Sequence, residues 1–178
     1  MRLHTKNIPN NIRLIHPLNY KKITNKAIDV DLNKKDSKEF IENLAYKMIK
    51  TCIFDGGIGL AAPQLGIPKK IIVIKEFVDP NTWGNYTDYF NVYINPKIIL
   101  NKESNLWEFN ESCLSVPGTN LPIKRYNEII ISYWFYDFVE DKFKFIEENI
   151  NGYLARVLLH ENDHLLGISI LDRFNKQK

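Results

Sequence analysis

Apolar residues recur at helical spacing from Asp36 to Cys52, where Phe40, Ile41, Leu44, Ala45, Met48 and Cys52 follow a 3.6-residue period. A first helix is predicted there, with Asp36 and Glu39 spaced to form a capping box at its start. Cys52 falls on the apolar side and reads as a small core residue. The pattern then changes period. Ile71–Ile74 is an unbroken apolar run of strand length, and Tyr93-Ile94 and Ile98–Leu100 flank Asn95-Pro96 as further short strands, with residues 77–92 read as a loop. Residues 128–138 are rich in Ile, Tyr, Trp and Phe, and Phe143–Phe145 follows a charged turn at 140–142, which is the pattern of a hairpin. From Asn151, a favourable N-cap, Leu154, Val157, Leu158 and Leu165 return to helical spacing until Gly167, a favourable C-terminal stop. The order helix, strands, helix predicts an α+β fold, with antiparallel β-sheets packed around the last helix and an N-terminal helix beside them.

Composition narrows the classes without choosing among them. The chain has 178 residues, 44% hydrophobic and 25% charged, the balance of an ordinary globular protein, and its length suits one domain over 1–178. Its formal charge of +3 is spread along the chain and no nucleic-acid motif accompanies it, so electrostatics leaves the partner open. The longest apolar run, Ile129 to Tyr136, falls far short of the roughly 20 residues needed to cross a bilayer. Met1 to Ile15 lacks the apolar core of a secretory signal, so a reducing compartment is expected and Cys52 and Cys113 read as thiols.

The chemistry concentrates on the last helix, which contains His160-Glu161-Asn162-Asp163-His164, an HExxH pattern. Two imidazoles one helical turn apart face the same side and can share a metal, while Glu161, about a quarter turn away, brings a carboxylate beside that ion without ligating it. A catalytic site of this type needs a third protein ligand and one open position. The short segment after His164 holds Asp172 but no Glu or His, whereas Cys113 stands upstream within Glu111-Ser112-Cys113-Leu114-Ser115, among polar and turn-forming residues; Cys113 is the better third ligand. A further glycine-rich segment, Gly57-Ile58-Gly59-Leu60-Ala61-Ala62-Pro63-Gln64, lacks the lysine ending of a phosphate loop and taken alone reads equally as a plain turn.

Taken in this order, the three segments resemble the motifs GxGLAAxQ, EGCLS and QHExDHLxG of the peptide deformylases, and the resemblance extends from about Leu14 to Arg173, including Ile94-Asn95-Pro96 and Arg125. Two positions depart from it: Ser112 stands for the middle glycine of EGCLS and Leu159 for the glutamine before HExDH. Neither removes a ligand.

The resemblance implies an enzyme that removes the N-formyl group from N-formyl-methionyl nascent polypeptides and releases formate. It implies that Cys113, His160 and His164 hold one divalent metal, natively Fe(II), with Zn(II), Ni(II) or Co(II) as other occupants. It implies that Glu161 takes the proton of the attacking water and later protonates the leaving amine. It implies that the Gln64 side-chain amide and the Leu114 backbone N–H meet the developing oxyanion. It further implies that substrate lies strand-like beside Gly57, Ile58 and Gly59, with the methionine side chain near Ile58 and Leu114. Glu111, Arg125 and Asp163 are expected to form a buried charged support for the metal segments, the alternative being three solvated surface charges. The expected setting is a monomer in the bacterial cytoplasm near the ribosome, with an organelle as the alternative. The competing readings are an ordinary HExxH zinc peptidase and an inactive metal-containing binder of formylated peptides; Glu161 and Gln64 argue against the second, because binding alone needs neither a base nor an oxyanion donor.

Overall fold

Side chains of the Ile71–Ile74 run alternate between two faces of a sheet, and each face buries a different helix. In the computed structural model, which describes residues 1–177, the run opens strand β3 (Ile71–Phe77). Ile71 and Val73 join a core with Ile41, Leu44, Met48, Ile49 and Cys52 of helix α1 (Ser37–Phe54). Ile72 and Ile74 join a second core with Ala155, Leu158, Leu159 and Leu165 of helix α2 (Gly152–Leu165). A strand covered on both faces has no polar side to show, which is why its sequence is continuously apolar.

The sheet is antiparallel and six-stranded, in the order β2 (Gly59–Ala61), β3, β4 (Tyr86–Leu100), β7 (Glu128–Asp137) and β8 (Lys142–Asn151), with β1 (Arg2–His4) also paired to β4. Strand β4 can serve β1, β3 and β7 because it is 15 residues long and changes neighbours partway. The change falls at Asn95, where φ is 50° and the register to β7 shifts. Asparagine tolerates this left-handed conformation. Its side chain also closes both polar groups of Val30, accepting from the Val30 N–H at 2.7 Å and donating to the Val30 carbonyl at 2.9 Å. A separate hairpin, β5 (Leu106–Cys113) with β6 (Val116–Tyr126), and a short helix α3 (Ile170–Asn175) complete the chain.

The α+β architecture is the one the sequence predicts, and it differs in four details. The two short strands around Asn95-Pro96 are one bulged strand, and the loop expected at 77–92 narrows to 78–85, because Tyr86–Asn91 mixes polar side chains into a segment that pairs with both β1 and β3. The capping box at Asp36 does not form: Asp36 makes no side-chain cap bond, while Ser37 donates its hydroxyl to the Asp31 carbonyl at 2.6 Å. Strands β1, β2, β5 and β6 and helix α3 are not among the predicted elements, being short or carrying many polar residues, and β2 lies within the glycine-rich segment that alone reads equally as a turn. Asn151 holds the N-cap position of α2 without a side-chain bond; the Pro80 carbonyl instead accepts from Tyr153 N–H at 2.9 Å and Leu154 N–H at 3.3 Å.

Gly167 ends α2 as expected, with φ at +73°. A Cβ there would lie 2.6 Å from the Thr24 carbonyl oxygen, so the N-terminal segment wraps against a position that only glycine fits. Gly167→Ala should lower unfolding free energy by about 1–3 kcal/mol, read as a lower urea midpoint with unchanged slope.

Candidate metal centre and its support

Helix α2 carries two sets of side chains. Ala155, Leu158, Leu159 and Leu165 face the sheet, while Arg156, His160 and Asp163, at helical spacing, engage the β5–β6 hairpin. Strand β5 ends at Cys113, directly before the tight reversal into β6, and this delivers its thiol to the helix. Cys113 Sγ lies 3.3 Å from His164 Nε2, and one donor atom each from Cys113, His160 and His164 fit within 4.8 Å of one another. Both cysteines are free and buried, but Cys52 sits in the core beneath α1, where burial pushes its thiol far above the ordinary range and makes it inert.

The ring of His160 is oriented by a charged group behind it, whereas His164 Nδ1 is buried without a hydrogen-bond partner. His160 Nδ1 is 2.9 Å from Glu111 Oε2, which leaves Nε2 for an ion. Burial, then the charges of His160 and Arg125, push the His164 imidazole well below its ordinary range, so it presents an unprotonated ring. Glu111 also accepts two hydrogen bonds from Arg125, at 2.7 and 2.8 Å, and one from Arg156 at 2.6 Å. Arg125 continues to Asp163 at 2.9 Å, and Arg173 of α3 closes the chain on Asp163 Oδ2 at 3.0 Å. Burial alone would raise the Glu111 carboxyl, but the bonds from His160 and Arg125 hold it far below the usual carboxylate range. Glu111, Arg125 and Asp163 are all buried, which removes the reading as solvated surface charges. Sequence reasoning missed Arg156 and Arg173. The signal for Arg156 was its place one turn before His160; nothing in the sequence marks Arg173.

Glu161 is handled differently. Its carboxyl is fully buried beside the donor cluster, Oε2 has no hydrogen-bond partner, and burial pushes its pKa up to about 7. That is the range in which one carboxyl can take and return a proton. Room for it comes from Gly59 of β2, where a Cβ would lie 2.8 Å from Glu161 Oε1. Gln64, in the 3-10 turn Ala62–Leu65 after β2, is held by the Ala61 N–H at 2.8 Å and donates to Ser115 Oγ at 3.2 Å. Gly57, Ile58, Gly59, Gln64, Leu114, Glu161, Cys113 and His160 all line one cavity of about 830 Å³, and Ser112 lines it too. Leu159 does not: it packs in the core between α2 and the sheet.

A thiol, two imidazoles and an unpaired buried carboxyl at the floor of an open cleft define a class, the metal-dependent hydrolases that split an amide with water. The donor set fits a single divalent ion of intermediate softness. Comparison with known proteins narrows the class: the sequence model described as polypeptide deformylase matches residues 12–178, and the chain belongs to that family. It is 40% identical to the peptide deformylase of Dictyoglomus turgidum over 76% of this chain and 77% of that protein. It is 34% identical to the enzyme of Leptospira biflexa over 84% of this chain and 80% of that one. Among solved structures, peptide deformylase from Thermotoga maritima superimposes with a TM-score of 0.70 at 30% identity, over 91% of this chain and 98% of that chain. A class I type b peptide deformylase from Acinetobacter baumannii gives 0.72 at 26% identity, over 90% and 99%, in a crystal with Met-Ala-Ser bound. Membership favours removal of the N-formyl group from nascent peptides over cleavage of internal amides, and the family is metal-dependent.

Arg125→Met should be severe, because it leaves Glu111 and Asp163 buried without their shared cation. A loss of about 3–5 kcal/mol in unfolding free energy is expected by chemical denaturation, with metal affinity about 10–100-fold weaker by competition with a chelator.

Proposed function

We propose that Cys113, His160 and His164 hold one divalent metal ion, natively Fe(II), and that this centre deformylates N-formyl-methionyl nascent polypeptides. The observation that carries the reading is the convergence of those three donors beside a buried, unpaired Glu161 at a cavity of about 830 Å³. When bound, the ion supplies a Lewis acid and makes a water acidic at neutral pH. The chain's own groups do the rest. The backbone of Gly57, Ile58 and Gly59 at the start of β2 orients the peptide as an added strand. Glu161 takes the proton of the attacking water and returns it to the leaving amine. The Gln64 amide and the Leu114 backbone N–H are aimed at the formyl oxygen as it gains charge, and donors of this kind are worth about 3 kcal/mol each. Glu111 holds His160 in place by its Nδ1, and Arg125 holds Glu111.

The Met-Ala-Ser peptide bound to the Acinetobacter baumannii relative supports a substrate beginning with methionine. We place the enzyme as a one-domain monomer in the bacterial cytoplasm, near the ribosome, because formylated chains are met as they emerge there. Among the described residues no helix is long and apolar enough to cross a membrane.

Formate release from a formyl-Met peptide tests the activity, with the unformylated peptide as the negative control. Glu161→Ala should retain stoichiometric metal yet lose about 10²- to 10⁴-fold in kcat. Cys113→Ala should instead lose the ion on dialysis, as elemental analysis would show; normal occupancy would remove Cys113 from the ligand set. Protein prepared without oxygen should contain iron and lose activity in air as Cys113 and the ferrous ion oxidise, whereas nickel- or cobalt-loaded enzyme should resist. Anaerobic protein that contained only zinc and matched the iron-loaded rate would overturn the choice of iron.

A further inference from the structure

The cavity extends past the metal donors along α2 toward that helix's N-terminus. Successive turns of α2 put Arg156 about 6 Å and Tyr153 about 10 Å along the axis from His160, a span matched by a formyl amide at the donor atoms followed by an extended, unbranched side chain such as methionine. At that far end the cavity is lined by Phe109 and Trp83. Trp83 comes from the 78–85 loop, which carries no other feature assigned to the reaction. Its ring meets Tyr153 at 5.4 Å and Phe109 at 6.0 Å between centroids, yet the residue remains 48% exposed.

Three contacts pin the loop that presents it. Val78 N–H donates to the Asn85 carbonyl at 3.0 Å across its base, Asp79 accepts from Asn81 N–H at 2.9 Å and from the Thr82 hydroxyl at 2.8 Å, and the Pro80 carbonyl caps α2. Gly152, at φ +65°, allows the close approach, since a Cβ there would lie 2.9 Å from the Pro80 carbonyl oxygen. The backbone that carries this half-exposed indole is fixed before any ligand arrives, which is the property of a preorganised contact.

We propose that Trp83 is a specificity-determining residue: its indole closes the end of the side-chain pocket and contacts the terminal thioether of the substrate's first residue. The inference rests on the deformylase reading above. Sulfur beside an aromatic ring gains over a methylene in the same place, so Trp83 favours methionine over its sulfur-free isostere norleucine. A short side chain such as alanine never reaches the indole. The competing view makes Trp83 a purely structural cover for the start of α2, in which case every substrate would suffer alike when it is removed.

The test compares holoenzyme variants on formyl-Met-Ala-Ser, formyl-norleucine-Ala-Ser and formyl-Ala-Ala-Ser. Trp83→Ala is expected to raise KM for the formyl-Met peptide by about three- to tenfold with kcat within about twofold, to erase the preference over norleucine, and to leave the formyl-Ala peptide unchanged. Trp83→Phe should restore most of the lost affinity. A second measurement is independent of turnover: titration with Met-Ala-Ser should quench tryptophan emission in the wild type and not in Trp83→Phe, while Ala-Ala-Ser should quench neither. Equal KM changes for formyl-Met and formyl-Ala peptides, or a quench that survives in Trp83→Phe, would overturn the proposal. Absence of formate from all three substrates with the Trp83-dependent quench intact would overturn the deformylase reading and leave the Trp83 contact standing.

Discussion

A single buried carboxylate, that of Glu111, ties the β5–β6 hairpin to helix α2. One oxygen receives Arg125 Nε and Arg156 Nη1, and the other receives Arg125 Nη2 and faces His160 Nδ1. These partners come from β6 and from α2, while Glu111 lies on β5 two residues from Cys113. Taking a carboxylate out of water costs several kcal/mol, and only a full set of hydrogen bonds offsets that cost. Once the set is complete the arrangement has little slack, since each oxygen is bonded at 2.6–2.9 Å. The position of Cys113 relative to His160 and His164 therefore depends on a polar contact more than on hydrophobic burial.

The distribution of apolar contacts explains why a polar latch is needed. Two large cores hold α1 and α2 to the opposite faces of the six-stranded sheet. The hairpin that carries Cys113 has only a small one, built around Cys113, Val116, Ile123 and Ile170. Hydrophobic burial is non-directional and would let so small a patch slide. Hydrogen-bonded ion pairs are directional and fix its register against α2. Helix α3 adds a second tether: Arg173 reaches Asp163, and Gln177 bonds both polar groups of Lys124 on β6, at 3.0 and 2.7 Å. Helix α3 and Gln177 thus hold the hairpin through contacts outside the two large cores.

Much of this was legible in the sequence wherever a residue's neighbours in the chain are also its neighbours in function. HExxH is such a case, because one helical turn places His160 and His164 on one side; the apolar run of β3 is another, because both its faces are covered. Legibility fell where structure depends on partners distant in the chain. Leu106–Cys113 reads as polar because only its partner strand and α2 reveal which side is buried. The 77–92 segment reads as loop because Tyr86–Asn91 gains its strand character from pairing with β1 and β3. Arg173 carries no mark in the sequence, and Arg156 carries only its place one turn before His160, since an arginine on a helix normally reads as solvated until an acid on another element is placed against it. The asparagine at position 95 was visible as a break between strands, but its conversion into a bulge depends on Val30, far away in the chain.

The two departures from the family motifs follow from the same division of α2. Leu159 stands where the motif has glutamine, directly before His160 in the sequence. On a helix, however, adjacent residues point about 100° apart, and Leu159 turns toward Ala155, Leu158 and the sheet while His160 turns toward Glu111. An apolar side chain at that position adds to the core. Ser112 lies in the opposite situation: it is exposed, it lines the cleft, and it sits between the two residues on which the hairpin's role depends. Strand alternation turns it away from the side shared by Glu111 and Cys113, both buried. Its hydroxymethyl group therefore adds to the wall of the cleft and leaves the Glu111 carboxylate and the Cys113 thiol in place.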